Sequence, residues 1–103
     1  MSAIEELQEW YVSQCNDDWE HLYGITIETL DNPGWKLTVD LTETDLQGVA
    51  FPAQSYGAEG EADADRQNWM TCKVERGQFL GTGGPRKLEE IIKVFLTWAK
   101  SNT

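Results

Sequence analysis

The chain has 103 residues, with 18 Asp and Glu against 8 Lys and Arg, a net charge of −10. That length makes one ordinary domain, spanning residues 1–103. Its 40% hydrophobic content and five Trp residues exclude a disordered chain, no apolar run approaches the ~18–20 residues that cross a bilayer, and the charge disfavours nucleic acid and anionic membranes while suiting a basic protein.

Ser2 and Glu5 have capping-box spacing. Ile4, Leu7, Trp10, Tyr11 and Cys15 then share one face of a helix predicted over residues 3–15. Asn16-Asp17-Asp18 reads as a turn. Tyr23, Ile25 and Ile27 alternate with Gly24, Thr26 and Glu28, a strand pattern. In Asn32-Pro33-Gly34, Pro suits the second position of a turn and Gly supplies the positive φ of a type II third position. Trp35, Leu37, Val39 and Leu41 give the cleanest period-2 run, a half-buried strand.

Val49-Ala50-Phe51 suggests a short strand, which Pro52 confines to an edge. Tyr56 to Asn68, with Glu59, Glu61, Asp63 and Asp65, reads as an exposed loop. Met70, Cys72 and Val74 predict another strand, Arg76-Gly77 a turn, and Gln78-Phe79-Leu80 the partner strand. Gly81-Thr82-Gly83-Gly84-Pro85 leads into a helical stripe of Leu88, Ile91, Ile92, Phe95, Leu96 and Ala99, with Pro85 suited to the first helical position. The expected fold is α+β: a small antiparallel sheet of four to five strands flanked by an N-terminal and a C-terminal helix.

No enzyme motif stands out. Cys15 and Cys72 are the only cysteines, and the acidic N-terminus MSAIEELQEW shows no secretory signal, so free thiols in a reducing cytoplasm are expected. Cys15 with His21 allows a thiol nucleophile on paper, but Asp17, Asp18 and Glu20 disfavour a thiolate there. Cys15, His21 and Cys72 lack metal-ligand spacing, and Glu61-x-Asp63-x-Asp65 is followed by Arg66 where a calcium loop needs Gly. Gly81-x-Gly83-Gly84 before a helix lacks the P-loop Lys and the Rossmann context, so turn chemistry explains it better than a nucleotide. No catalytic residue, metal or cofactor is therefore expected. The alternative is a small cysteine-dependent enzyme, such as a sulfurtransferase, using Cys15 or Cys72.

Charge is unevenly distributed. Residues 1–65 hold 15 acids and one base, Lys36, while residues 66–103 hold three acids and seven bases. One segment is more specific than any of these patterns: Trp10-Tyr11-x-x-Gln14-Cys15-Asn16-Asp17-Asp18-Trp19-Glu20-His21-x-Tyr23-Gly24-Ile25, followed by Thr29-Leu30-Asp31-Asn32-Pro33-Gly34-Trp35. With Trp69-x-x-Cys72, Phe79-x-Gly81 and the closing Phe95-Leu96-x-Trp98, it resembles the immunity protein 53 family of bacterial polymorphic toxin systems over about residues 7–98, most weakly over 46–66. Asn16-Asp17-Asp18 stands where Asp-Gly-Asp is expected of relatives.

The resemblance implies a cytoplasmic antitoxin, not an enzyme, that binds and neutralises a cognate toxin often encoded beside it. Acids placed like phosphates would compete for a basic toxin surface such as a nuclease site. The candidate contacts are Asp17, Asp18, Glu20 and His21 in the first loop, and Glu59, Glu61, Asp63 and Asp65 in the long one. Trp10, Trp35 and Trp98 fit the core, whereas Trp19 and Trp69 sit at element edges and are either core residues or aromatic anchors of an interface.

Overall fold

A computed structural model describes residues 2–56 and 68–102, Tyr56 by its backbone only. Helix α1 runs Ala3–Gln14. Its capping box is complete: the Glu5 amide donates to Ser2 Oγ at 3.1 Å and the Ser2 amide to Glu5 Oε1 at 3.0 Å. These two bonds satisfy donors that the first turn would otherwise leave unpaired. The face that carries Ala3, Leu7 and Trp10 is buried, and Cys15 forms the C-cap.

A four-residue helix that the sequence pattern does not predict, α2 (Trp19–Leu22), follows the turn. The sheet comprises β1 (Ile25–Leu30), β2 (Gly34–Asp40), β3 (Gln54–Tyr56), β4 (Met70–Glu75) and β5 (Gln78–Gly83). Its spatial order is β1-β2-β5-β4-β3, and every pairing is antiparallel. Helix α3 spans Leu88–Ser101. The α+β expectation holds, with five strands.

Three local expectations shift. The short edge strand lies after Pro52, at Gln54–Tyr56, because Pro52 cannot donate to a ladder; Val49 and Phe51 instead pack on the core from a non-strand segment. Gly34 is not among the positive-φ residues and already belongs to β2, opposite Leu30, so no type II turn forms there. Its glycine has another cause, since a Cβ at Gly34 would stand 2.3 Å from the Gly83 carbonyl oxygen. Pro85 precedes the helix rather than opening it; α3 starts at Leu88 with Lys87 as N-cap. By contrast, Arg76 (φ 53°) and Gly77 (φ 77°) form the predicted β4–β5 turn. Two successive positive φ values are the backbone of a type I′ hairpin.

Register puts Trp35, Leu37 and Val39 of β2 on the same side as Gly83, Gly81 and Phe79 of β5. Helix α3 covers that side with Ile91, Ile92, Phe95, Leu96, Trp98 and Ala99, all buried. A 14-residue helix is marginal alone, but each large apolar side chain it buries contributes about 1.5–3 kcal/mol. Gly81 and Gly83 let it settle close to the sheet: a Cβ at Gly81 would lie 2.4 Å from Ile91 Cγ2. Helix α1 lies against α3, joined by Trp10 meeting Phe95 edge-on at 5.0 Å and by the Glu6–Lys100 ion pair. Three indole N–H groups pin loops to this core, those of Trp19 to the Thr42 carbonyl, Trp35 to Pro85 and Trp98 to Ala50.

Candidate functional site

The turn after α1 is a reciprocal set of bonds built from its own side chains. Asn16 Oδ1 accepts from the amides of Asp18 (3.0 Å) and Trp19 (2.9 Å). The Glu20 carboxylate returns the favour, accepting from the amides of Asn16 (2.9 Å) and Asp17 (2.8 Å). Its own amide and those of Asn16 and Asp17, together with nearby His21, hold Glu20 below the usual carboxylate range despite partial desolvation. Asp17 is forced to φ 75°, the left-handed region.

The outcome sorts the predicted contacts. Asp17, Asp18 and His21 are exposed, whereas the carboxylate of half-buried Glu20 is engaged with the loop's own backbone. Trp19 is 1% exposed and meets Trp10, Tyr11 and Tyr23 through ring contacts. It is therefore a core residue, and of the two readings open to it the interface anchor is set aside, because its ring offers no surface. Its burial explains the local pattern: Trp19 anchors the loop while its neighbours face water.

Trp69 is half-buried and distant from this loop. It precedes Met70, opposite Gly83, at the sheet end that carries Trp35 and Gly34, whereas the loop leads into Ile25 at the other end. Six residues of strand separate the two ends, roughly 20 Å. Trp69 and Asp17 thus do not belong to one patch. Glu59, Glu61, Asp63 and Asp65 lie outside the described residues.

Asp17 stands in the left-handed region, where glycine is the residue that fits without strain. A non-glycine residue there carries about 1–2 kcal/mol of strain, less for Asp, and Gly adds unfolded-state entropy. Asp17→Gly is accordingly expected to raise stability by about 0.5–1 kcal/mol. A thermal melt checks this, and a lowered midpoint would show that the loop relies on the Asp17 side chain.

The other motifs resolve structurally. Cys72 is fully buried, and burial, with Glu90 nearby, pushes its thiol up to about 11, so it stays protonated at neutral pH. Cys15 Sγ donates to the Tyr11 carbonyl at 3.3 Å. Gly81 and Gly83 belong to β5 rather than to a loop, and the space a Cβ would take is filled by Ile91 and Lys87. Among the described residues, no three His, Cys, Asp or Glu side chains are grouped to hold a metal ion, and no helix is long and apolar enough to cross a membrane.

The acidity of the first third is spatially coherent. Glu5, Glu6, Glu9, Asp17, Asp18, Glu20, Glu28 and Asp31 fall on α1, the loop, β1 and the turn after it, with no Lys or Arg among residues 2–31. Among the described residues, only Glu6 of these eight makes an ion pair, with Lys100. Beside these acids lies a feature the sequence did not expose, an open groove of about 330 Å³ lined by Leu7, Gln8, Tyr11, Gly24 and Ile25.

Comparison with known proteins adds a family. The family described as immunity protein 53 matches residues 4–100, nearly the whole chain. No curated protein matches the chain, and no solved structure does.

Proposed function

The chain belongs to the immunity protein 53 family, and from that premise we propose that it is a one-domain cytoplasmic antitoxin which binds a cognate protein toxin and blocks it by contact, without catalysis. The family match carries this reading. The acidic first third supports a partner with a basic surface, such as a nuclease cleft built to hold phosphates. Exposed Asp17 and Asp18 stand on a loop fixed by four hydrogen bonds from backbone amides to the Asn16 and Glu20 side chains, so little ordering accompanies their use in binding. Complementary charge would also speed encounter. The cysteine-dependent alternative draws no support from Cys72, whose thiol is buried and held protonated.

Co-expression with the toxin encoded beside the gene tests the proposal. Cells are expected to survive with this chain and die without it; death in the presence of folded chain overturns the proposal for that toxin. Reversing Asp17 and Asp18 to Lys is expected to slow association about tenfold and flatten its salt dependence. Reversing Glu59, Glu61, Asp63 and Asp65 tests the second loop by the same stopped-flow measurement. Association rates unchanged in both sets would move the interface elsewhere.

A further inference from the structure

We propose that the outer edge of β1, with the groove between β1 and α1, receives an extended, basic segment of the partner, which adds to the sheet as a sixth strand. This rests on the proposed antitoxin role and specifies how the contact is made.

The backbone supplies the first argument. Among the described residues, β1 pairs with β2 on one side and with no strand on the other. The Asp40 amide donates to the Gly24 carbonyl, in line with the β1–β2 register, so Thr26, Glu28 and Leu30 are the hydrogen-bonded positions of the ladder. The N–H and C=O groups of Ile25, Ile27 and Thr29 consequently point away from β2. Proteins usually blunt such an edge with Lys, Pro, a bulge or a very short strand. The opposite edge, β3, has only three residues. Strand β1 has six, Ile-Thr-Ile-Glu-Thr-Leu, with neither Lys nor Pro, and remains a template for pairing.

The side chains supply the second. Ile27 lies opposite Leu37, on the helix-covered side of the sheet, yet it is 40% exposed because α1 stands off from β1. Tyr11 and Leu7 form the far wall of the groove, and Ile4 extends the same helix face by one turn at 47% exposure. An added strand would lower every second side chain into this groove, so those residues must be apolar. Its remaining side chains would emerge on the open side of β1 beside Glu28, whose cross-strand neighbour is Lys36. Residues 2–31, which supply α1, the loop and β1, carry eight acids and no Lys or Arg, so a strand alternating apolar and basic residues is the occupant complementary to this region as a whole.

The test uses the full chain and two capped peptides of alternating valine and lysine. One is unmodified; in the other alternate amides are N-methylated, which keeps charge and apolar area but removes the pairing donors. The unmodified peptide is expected to bind at least about tenfold more tightly, since several backbone hydrogen bonds are lost together. It is also expected to slow amide exchange at Ile25, Ile27 and Thr29. Ile27→Lys should abolish this difference, whereas Thr38→Lys on the open face should not. Equal affinity for the two peptides, or unchanged exchange at those three amides, overturns the proposal. In the toxin complex the same amides are expected to be protected. Neutralisation without that protection overturns the strand proposal alone; peptide binding without neutralisation of any toxin overturns the antitoxin reading alone.

Discussion

Trp19→Ala is expected to remove about 3–5 kcal/mol, as truncating a fully buried aromatic does. Small proteins have only about 5–15 kcal/mol in all, so the melting temperature should fall by roughly 12 °C or more. The size of the effect comes from where Trp19 sits. At 1% exposure it joins α1, through Trp10 and Tyr11, to Tyr23 at the entry to the sheet. Its indole N–H also holds the Thr42 carbonyl at 3.0 Å, 23 residues away. Trp19→Phe separates the two contributions. It keeps much of the apolar area but leaves that carbonyl without its donor, at about 1–3 kcal/mol. Trp10→Phe provides the contrast, because Trp10 Nε1 is buried and has no hydrogen-bond partner among the described residues; Phe leaves no acceptor stranded there and removes an unpaired donor, which offsets part of the lost volume. Denaturant titrations should therefore rank Trp19→Ala as the most harmful, then Trp19→Phe, then Trp10→Phe. Toxin affinity per folded molecule should be nearly unchanged in Trp19→Phe and Trp10→Phe. A Trp19→Ala protein that melts with the wild type but no longer binds toxin would return Trp19 to the interface.

The same residue shows how far the sequence could be read. Periodicity identified α1, β2 and α3, because each buries one continuous stripe and the stripe is written in the spacing of Leu7 and Trp10, of Leu37 and Val39, and of Ile91, Phe95 and Ala99. The capping box and the Arg76-Gly77 turn were equally legible, being local chemistry. Helix α2 was not, since four residues carry no period; it exists because Trp19 is drawn into the core while Asn16 and Glu20 satisfy the loop's amides. Strand β1 reads as an ordinary alternating strand, but alternation does not say whether a helix covers its apolar side, and Ile27 is left exposed. The groove is a consequence of where α1 lies against α3, a tertiary fact. The acidic character of the candidate surface was visible in the composition; the removal of Trp19 from it, and the separation of Trp69 from Asp17, required the sheet order.

Gly34→Ala is expected to cost about 3 kcal/mol or more, at the upper end of what overpacking does. The added methyl would sit 2.3 Å from the Gly83 carbonyl oxygen and 3.4 Å from its carbon, and both are backbone atoms that cannot rotate aside. Relief requires β2 to move away from β5 where Trp35 faces Gly83. That seam joins the β1–β2 hairpin to the rest of the sheet, and α3 packs across it, so a local displacement is felt by the whole core. Gly81→Ala meets Ile91 Cγ2 at 2.4 Å, a side chain rather than backbone; yet Ile91 is fully buried and β-branched, with few rotamers open to it. It should rank second. Gly24→Ala is the control: among the described residues nothing lies within 4 Å of its Cβ position, and its φ is not positive, so its effect should stay within about 0.5 kcal/mol. Equal melting of the Gly34→Ala and Gly24→Ala proteins would mean that β2 and β5 do not approach as closely as described. The ranking also bears on the Gly81–Gly84 run. If these glycines serve helix packing, Gly81→Ala lowers stability and inorganic phosphate restores none of it; phosphate-dependent stabilisation of the wild type, lost in the variant, would instead mark an anion site.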